Sequence, residues 1–187
     1  MIRQVEYFDQ AGKENTERCL HIVEGLTTTY EDVVVASTSG ETGLKFAKRL
    51  GKKTNLIVVT HASGHRQKNE IEISTEVRER IEELGGKVFT GTILTSSLEK
   101  SFISEFKGIY PTIIIAETLR RLGEGMKVCA EIVMEACDAG LIEEGKDVIA
   151  VAGTGSGSDT ICLIQSTTSR CFLDLKIKEI LAKPREF

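Results

Sequence analysis

The sequence predicts an α/β domain with a mostly parallel sheet, because helix-like and strand-like segments alternate along the chain. Segments 32–36 and 148–152 are continuously apolar and rich in β-branched residues, which is typical of strands that helices cover on both faces. Of the 187 residues, 41% are apolar and 28% are charged, so the chain can bury a substantial core. Because no linker or internal repeat divides it, we predict a single domain over residues 1–187.

Five segments are predicted to form helices from the spacing of their apolar residues and from signals at their ends. Asn15 is a plausible N-cap of the first helix, and Gly51, Gly85 and Gly140 are typical stop signals for later ones. The predicted helices cover residues 15–30, 42–50, 73–84, 98–106 and 126–137.

Five apolar runs are predicted to form strands, namely 32–36, 56–59, 87–89, 148–152 and 160–165. Segment 112–122 is open to two interpretations. Its β-branched residues favour a strand, whereas Pro111 and Thr112 form a suitable helix start, so a helix is preferred. Segment 171–181 has mixed character and receives no single assignment.

Charge and hydropathy exclude two classes of partner. The net charge is −4 and no long basic run occurs, which argues against nucleic acid as the main partner. No apolar segment is long enough to span a bilayer, and the N-terminus lacks the apolar core of a signal peptide, so no membrane association is expected. The five cysteines form no CxxC pair, which predicts reduced, mostly buried thiols and a cytoplasmic location.

The first candidate site is the loop that directly follows the strand at 32–36. Small residues and hydroxyls at a strand end leave backbone N–H groups unshielded, and a helix that starts there adds its positive end. The loop lacks the lysine of a P-loop, and a βα turn capped by Ser39 or Thr42 is the plain alternative. The candidate ligand contacts are Ser37, Thr38, Ser39, Gly40, Glu41 and Thr42.

The second candidate site follows the strand at 148–152 and reads GxGxG. Another strand, not a helix, comes next, so a dinucleotide fingerprint is disfavoured and a flexible hairpin loop is the alternative. Ligands of parallel sheets bind beyond the carboxyl ends of the strands, where both loops are expected, so we predict one shared anion pocket. The candidate contacts are Gly153, Thr154, Gly155, Ser156 and Gly157.

The pattern of residues 32–42, a valine-rich strand followed by Ser-Thr-Ser-Gly-Glu-Thr, resembles the C-terminal α/β domain of pyruvate kinase. Residues 145–157 are similar to the last glycine-rich loop of the same domain, in the same order along the chain. The resemblance covers a core over about 12–165, leaves a C-terminal extension over 166–187, and is closest to stand-alone members of this family. It implies a three-layer α/β/α sandwich around a mostly parallel five-stranded sheet with an antiparallel edge strand.

In pyruvate kinase this domain is regulatory, binds a sugar bisphosphate between the two loops and has no catalytic residues. The resemblance therefore implies phosphate contacts from both loops and no pyruvate kinase activity. Glu41 stands where that family often has a basic residue, and Thr38 replaces a frequent lysine, so a second phosphate would be repelled and a single one is expected. Some stand-alone members are associated with flavin mononucleotide (FMN), which makes FMN, or otherwise another monophosphorylated metabolite, the implied ligand.

The favoured function is thus a binding or sensor module for a phosphorylated small molecule. The alternatives are a small flavin-dependent oxidoreductase or a phosphate-ester hydrolase using the same pocket, and a regulatory subunit of a larger enzyme. Helix faces could also support a homo-oligomer.

Other polar residues offer weaker candidates. His61 and His65 follow a strand end and form either a surface loop or part of the pocket, since a third metal ligand at suitable spacing is not evident. Thr118 and Lys127 flank a glycine break and either complete the pocket or lie on solvated helix faces. His61 is also the one base near the candidate nucleophiles of the loops, but no GxSxG elbow occurs, so no catalytic residue is predicted.

Overall fold

A computed structural model describes residues 4–187 as a seven-stranded sheet with helices on both faces. The strands are β1 (Glu6–Gln10), β2 (Asp32–Ala36), β3 (Asn55–Thr60), β4 (Lys87–Thr90), β5 (Asp147–Ala152), β6 (Thr160–Gln165) and β7 (Lys176–Glu186). The α-helices are α1 (Thr16–Leu26), α2 (Glu41–Leu50), α3 (Thr75–Glu83), α4 (Leu98–Phe106), α5 (Pro111–Arg120) and α6 (Glu124–Asp138). Short 3₁₀ turns lie at Lys13–Asn15, Leu94–Ser96 and Ser169–Asp174.

The order of the strands across the sheet, β1-β7-β6-β5-β2-β3-β4, places a topological switch point between β2 and β5. From β2 the chain moves outward to β3 and β4, and it then returns through α6 to place β5 on the other side of β2. β2 and β5 are parallel, with Val35 beside Val151, so both strands end at the same edge of the sheet. Such a switch point leaves a crevice at the carboxyl ends of the strands.

Alternating side chains of the central strands divide the core between the two faces of the sheet. Val33 and Val35 of β2 pack with Phe46 and Leu50 of α2, on the face that α1 and α3 also cover. Val34 of β2 points to the other face and joins the cluster formed by the buried side of α6. This three-layer arrangement confirms the predicted α/β class and explains why β2, β3 and β5 are almost entirely apolar.

Two details of the predicted sheet are wrong. The sheet has seven strands, not five, because the segments that form β1 and β7 pair with each other at one side. The antiparallel strand is not at the edge, since β6 is antiparallel to both of its neighbours, β5 and β7. β1 has one buried side chain, Phe8, and much of β7 is exposed, so neither shows the apolar run that marks the central strands.

The predicted helices agree with the structure to within a few residues at their ends. Segment 112–122 is helical as far as Arg120, where α5 ends, and the helix begins at Pro111, whose fixed φ suits a first helical position. Asn15 occupies the N-cap position of α1, but its side chain does not cap the helix; it donates to the carbonyls of Gln10 and Gly12 instead.

Candidate functional site

Two neighbouring cavities with several lining residues in common lie at the switch point. The larger, which we call the outer cleft, has a volume of about 630 Å³. The smaller, which we call the inner chamber, has a volume of about 220 Å³. The outer cleft is lined by residues of both loops together with Ala36, His61, Arg66, Gln67, Glu70, Glu72, Glu124 and Val128. The inner chamber is lined by Ala36, Ser37, Thr38, Val59, Thr60, His61, His65, Ile93, Ser96, Arg120, Glu124, Lys127, Val128, Glu131, Ile132 and Glu135.

The first loop directs the start of α2 toward the outer cleft. The Ser37 hydroxyl accepts a hydrogen bond from the Gly43 amide (2.9 Å), which holds the loop against the first turn of the helix. Gly40 adopts φ +87°, and a Cβ there would lie 2.5 Å from Cγ1 of Val77, so only glycine fits this turn. Among the described residues, the amides of Thr38, Ser39 and Thr42 have no hydrogen-bond acceptor and remain available to a ligand.

The second loop is a hairpin connection between β5 and β6, in which Ala152 pairs with Thr160. The fully buried carboxylate of Asp159 organises it by accepting hydrogen bonds from the amides of Gly12 and Thr154, at 3.0 Å each, and from the Thr160 hydroxyl at 2.7 Å. The loop is therefore braced from inside the protein and from the segment that precedes α1.

The same segment holds the loop at a second point. The Ser158 amide donates to Oγ1 of Thr16 (3.0 Å). Gly157 adopts φ +71°, and a Cβ there would lie 2.7 Å from Cβ of Lys13, so the backbone of the loop approaches residues 13–16 closely. These contacts disfavour the flexible alternative for the hairpin and hold Gly155, Ser156 and Gly157 at the rim of the outer cleft.

His61 lies at the junction of the two cavities, within a chain of polar contacts. Oε1 of Glu72 lies 2.8 Å from Nδ1 of His61, and Nε2 of His61 lies 3.3 Å from Oγ1 of Thr38. Arg66 contacts the other oxygen of Glu72 at 3.0 Å. The His65 ring lies 4.4 Å from the His61 ring, and burial together with the His61 charge lowers the pKa of His65.

The inner chamber contains three ionisable side chains of α6 that are almost fully buried. Lys127, Glu131 and Glu135 are spaced four residues apart, so they share one face of the helix. Lys127 forms an ion pair with Oε2 of Glu131, whose Oε1 accepts from the amide and the hydroxyl of Thr95 at 2.7 and 2.8 Å. Glu135 accepts from the Leu94 amide at 3.3 Å. Charged groups are rarely buried without partners, and a cluster that faces a cavity marks a candidate site.

Burial, reinforced by the negative charge of Glu131, raises the pKa of Glu135 from its ordinary value of 4.5 to about 8. Since the folded-state pKa lies above the unfolded one, the native protein binds more protons between these values, and stability is lost as pH rises through this window. We expect the free energy of unfolding to fall by a few kcal/mol between pH 5 and pH 8, since one pKa unit corresponds to about 1.4 kcal/mol.

The Glu135→Gln variant tests this expectation, because glutamine stays neutral and can still accept from the Leu94 amide. Urea unfolding at a series of pH values should show a much smaller fall for the variant than for the wild type, and a more stable variant at pH 8. Parallel pH profiles for the two proteins would contradict the assignment.

The structure brings most of the sequence-predicted site residues together. The residues that line the outer cleft are Ser37, Thr38, Ser39, Glu41, Thr42, His61, Gly153, Gly155, Ser156 and Gly157. Gly40 shapes the turn but does not line the cleft, and Thr154 faces a neighbouring cavity with Arg120, Arg121 and Phe187. Lys127 lies in the inner chamber, so the solvated-face alternative is wrong for this residue. Thr118 is exposed, lines neither cavity and donates to the Ile114 carbonyl.

Sequence reasoning missed several residues of the site. They are Thr16, Arg66, Glu72, Glu124, Val128, Glu131, Glu135 and Asp159. The repeated spacing of Lys127, Glu131 and Glu135 was the available signal for the inner chamber, because it places three charges on one face of a helix that is otherwise largely apolar. An acidic residue between a glycine-rich loop and a buried strand was the signal for Asp159.

The structure also bears on the predictions about the cysteines, metal ligands and membrane-spanning segments. All five cysteines are free thiols, with four buried and Cys171 half-buried, and burial raises the pKa of Cys19 to about 12. Over residues 4–187, no three His, Cys, Asp or Glu side chains form a group that could hold a metal ion. Within the same range, no helix has the length and apolarity needed to cross a membrane.

Residues 26–164 match the family described as the pyruvate kinase alpha/beta domain. The match runs from the end of α1 to β6, so it includes both loops and the switch point between β2 and β5. The protein belongs to the pyruvate kinase alpha/beta domain family.

Proposed function

We propose that this protein is a binding or sensor module for a small molecule with one phosphate group, with FMN as the first candidate. One observation carries the proposal: the pairing of β2 with β5 places two loops rich in glycine and hydroxyl groups at the same edge of the sheet, around one cleft. Available amides, Ser and Thr hydroxyls and the positive end of α2 are the groups with which proteins bind phosphate esters.

The charges around the cleft favour a single phosphate. Of the four acidic residues that line it, Glu72 is paired with Arg66 and His61, and Glu124 with Arg120. Glu41 and Glu70 form no ion pair among residues 4–187, and Glu41 lies at the first position of α2. A second phosphate beside Glu41 would face a like charge, which is unfavourable in a partly buried site.

The dimensions of the cleft suit FMN. A volume of about 630 Å³ lies within the range of small-molecule sites, roughly 300–1,000 Å³. The phosphate would be held by the first loop and by Gly155, Ser156 and Gly157, and the rest of the molecule would extend toward Val128 and His61. When bound, a flavin supplies hydride or electron transfer, whereas the residues named here bind and orient it.

Mass spectrometry of small molecules released from the purified protein, combined with calorimetric titration of FMN and riboflavin, tests the proposal. We expect a monophosphate to co-purify, and we expect FMN to bind at least tenfold more tightly than riboflavin, which lacks the phosphate. Equal affinities for FMN and riboflavin would contradict the phosphate site. Oxidation of reduced nicotinamide by the flavin-loaded protein would instead identify the oxidoreductase alternative.

A second candidate function is hydrolysis of the bound phosphate ester, favoured by the contacts of His61. Glu72 orients the imidazole so that Nε2 can accept a proton, as a carboxylate does in hydrolytic triads. In the proposed reaction, His61 takes a proton from a water molecule whose oxygen attacks phosphorus. The bond between phosphorus and the ester oxygen breaks, and the proton passes to the departing alcohol.

Release of inorganic phosphate from p-nitrophenyl phosphate and from FMN tests the hydrolase function. We expect His61→Ala to lower the rate by roughly 10²–10⁴-fold, the usual contribution of a general base, and Glu72→Gln to lower it less. His21→Ala is the matched control, because His21 is exposed on α1. A wild-type protein that binds these esters without turnover would leave the binding function alone standing.

A further inference from the structure

The inner chamber adjoins the outer cleft. Six residues line both: Ala36, Ser37, Thr38, His61, Glu124 and Val128. A ligand whose phosphate contacts the two loops can therefore extend past His61 toward α6. The inner chamber is thus the place where the part of the ligand remote from the phosphate would be recognised.

The chamber has hydrogen-bonding capacity that the protein itself does not use. Glu135 is 4% exposed, yet its Oε2 has no hydrogen-bond partner among residues 4–187, and the residue lines the chamber. Lys127 is 6% exposed and donates to Glu131, which leaves two more ammonium protons. These unused donor and acceptor positions face the chamber, so they can form hydrogen bonds with a polar group of a ligand.

The charges in the chamber balance one another, which decides what kind of group fits. Lys127 pairs with Glu131 and Arg120 pairs with Glu124, and the raised pKa of Glu135 favours the neutral form of its carboxyl group. A second anionic group would therefore meet no net positive charge and would lie next to Glu131. A neutral group that both donates and accepts hydrogen bonds is the suitable occupant.

The size and walls of the chamber suit a flat ring. A cavity of roughly 150 Å³ accommodates benzene, so about 220 Å³ is enough for one six-membered heterocycle with polar substituents. The apolar lining residues Val59, Ile93, Val128 and Ile132 can pack against the faces of such a ring.

We propose that the inner chamber binds the edge of a neutral, pyrimidine-sized cyclic amide or imide that belongs to the phosphorylated ligand. Lys127 donates a hydrogen bond to a ring carbonyl. The carboxyl group of Glu135 forms a hydrogen bond with the adjacent ring nitrogen. This inference rests on the proposed function, because the phosphate at the two loops is what directs the ring into the chamber.

Calorimetric titration with three monophosphates tests the inference. Ribose 5-phosphate has no heterocycle, whereas uridine monophosphate and FMN both have a pyrimidine-type imide edge. We expect the better of the two ring-containing ligands to bind at least tenfold more tightly than ribose 5-phosphate. If all three bind equally, the chamber inference is overturned and the phosphate site stands. If none binds, both proposals are overturned.

The Glu135→Leu variant locates the effect in the chamber. For this variant, we expect the ring-containing ligand to bind no more tightly than ribose 5-phosphate. Glu79→Leu makes the same change on the exposed side of α3 and should keep the full advantage. An advantage that survives in Glu135→Leu would place the ring outside the chamber and overturn the inference. If Glu135→Leu does not fold, the three-ligand comparison on the wild type still decides the question.

Discussion

Replacement of Ser39 by glutamate is expected to weaken the binding of FMN or ribose 5-phosphate at least 100-fold, which corresponds to about 2.7 kcal/mol. Ser39 is exposed at the rim of the outer cleft, and its hydroxyl lies 3.5 Å from the Glu41 amide at the start of α2. A carboxylate there would occupy the space of the phosphate and repel it, since juxtaposed like charges in a site cost several kcal/mol. Calorimetric titration measures the change.

The fold should tolerate this substitution, because an acidic side chain near the N-terminus of a helix interacts favourably with the helix dipole. Ser39→Ala separates charge from the loss of the hydroxyl, and we expect it to weaken binding less than tenfold. Ser101→Glu introduces the same charge on the exposed part of α4 and should have no effect. Unchanged affinity in a folded Ser39→Glu protein would show that the first loop is not the phosphate site.

Replacement of Asp159 by alanine is expected to lower the free energy of unfolding by about 3 kcal/mol or more. The carboxylate is fully buried and serves as acceptor for two amides and one hydroxyl, which the substitution would leave without a partner. A buried donor that loses its partner costs about 1–3 kcal/mol. Urea unfolding followed by circular dichroism measures the loss.

The same substitution should also weaken ligand binding, because the second loop loses the group that holds it to β6 and to Gly12. Asp159→Asn keeps one acceptor oxygen and should destabilise the protein less than alanine does. Asp174→Ala removes an exposed carboxylate and serves as the control. A loss below about 1 kcal/mol for Asp159→Ala would mean that other contacts hold the loop, since that is the size of one ordinary hydrogen bond.

The central strands and the first loop could be predicted because their information is local. β2 and β5 are apolar over nearly their whole length, which is typical of strands covered on both faces. The loop after β2 likewise shows its glycine and hydroxyl groups in consecutive positions. β1 could not be predicted in this way, because Phe8 is its one buried side chain and its pairing partner, β7, lies at the opposite end of the chain.

The spacing of charges on α6 was a signal for the inner chamber, but it did not show that these charges are buried. Helical spacing places Lys127, Glu131 and Glu135 on one face, but a charged face is normally solvated. The segment at 94–95 covers that face and supplies amide donors to both glutamates, and neither feature is visible in the residues of α6. Thr118 shows the opposite outcome. It is also a polar residue near the glycine break, but unlike Lys127 it is exposed to solvent.

The sequence by itself determined the α/β class, the two strand-end loops and their placement at one edge of a parallel sheet, because composition and spacing specify local conformation directly. Only the tertiary structure decided which groups complete the site. Asp159 brings Gly12 to the second loop across 147 positions of sequence, and Thr95 meets Glu131 across 36. Such partners are selected by packing of distant segments, because buried polar groups must find hydrogen bonds wherever the fold provides them.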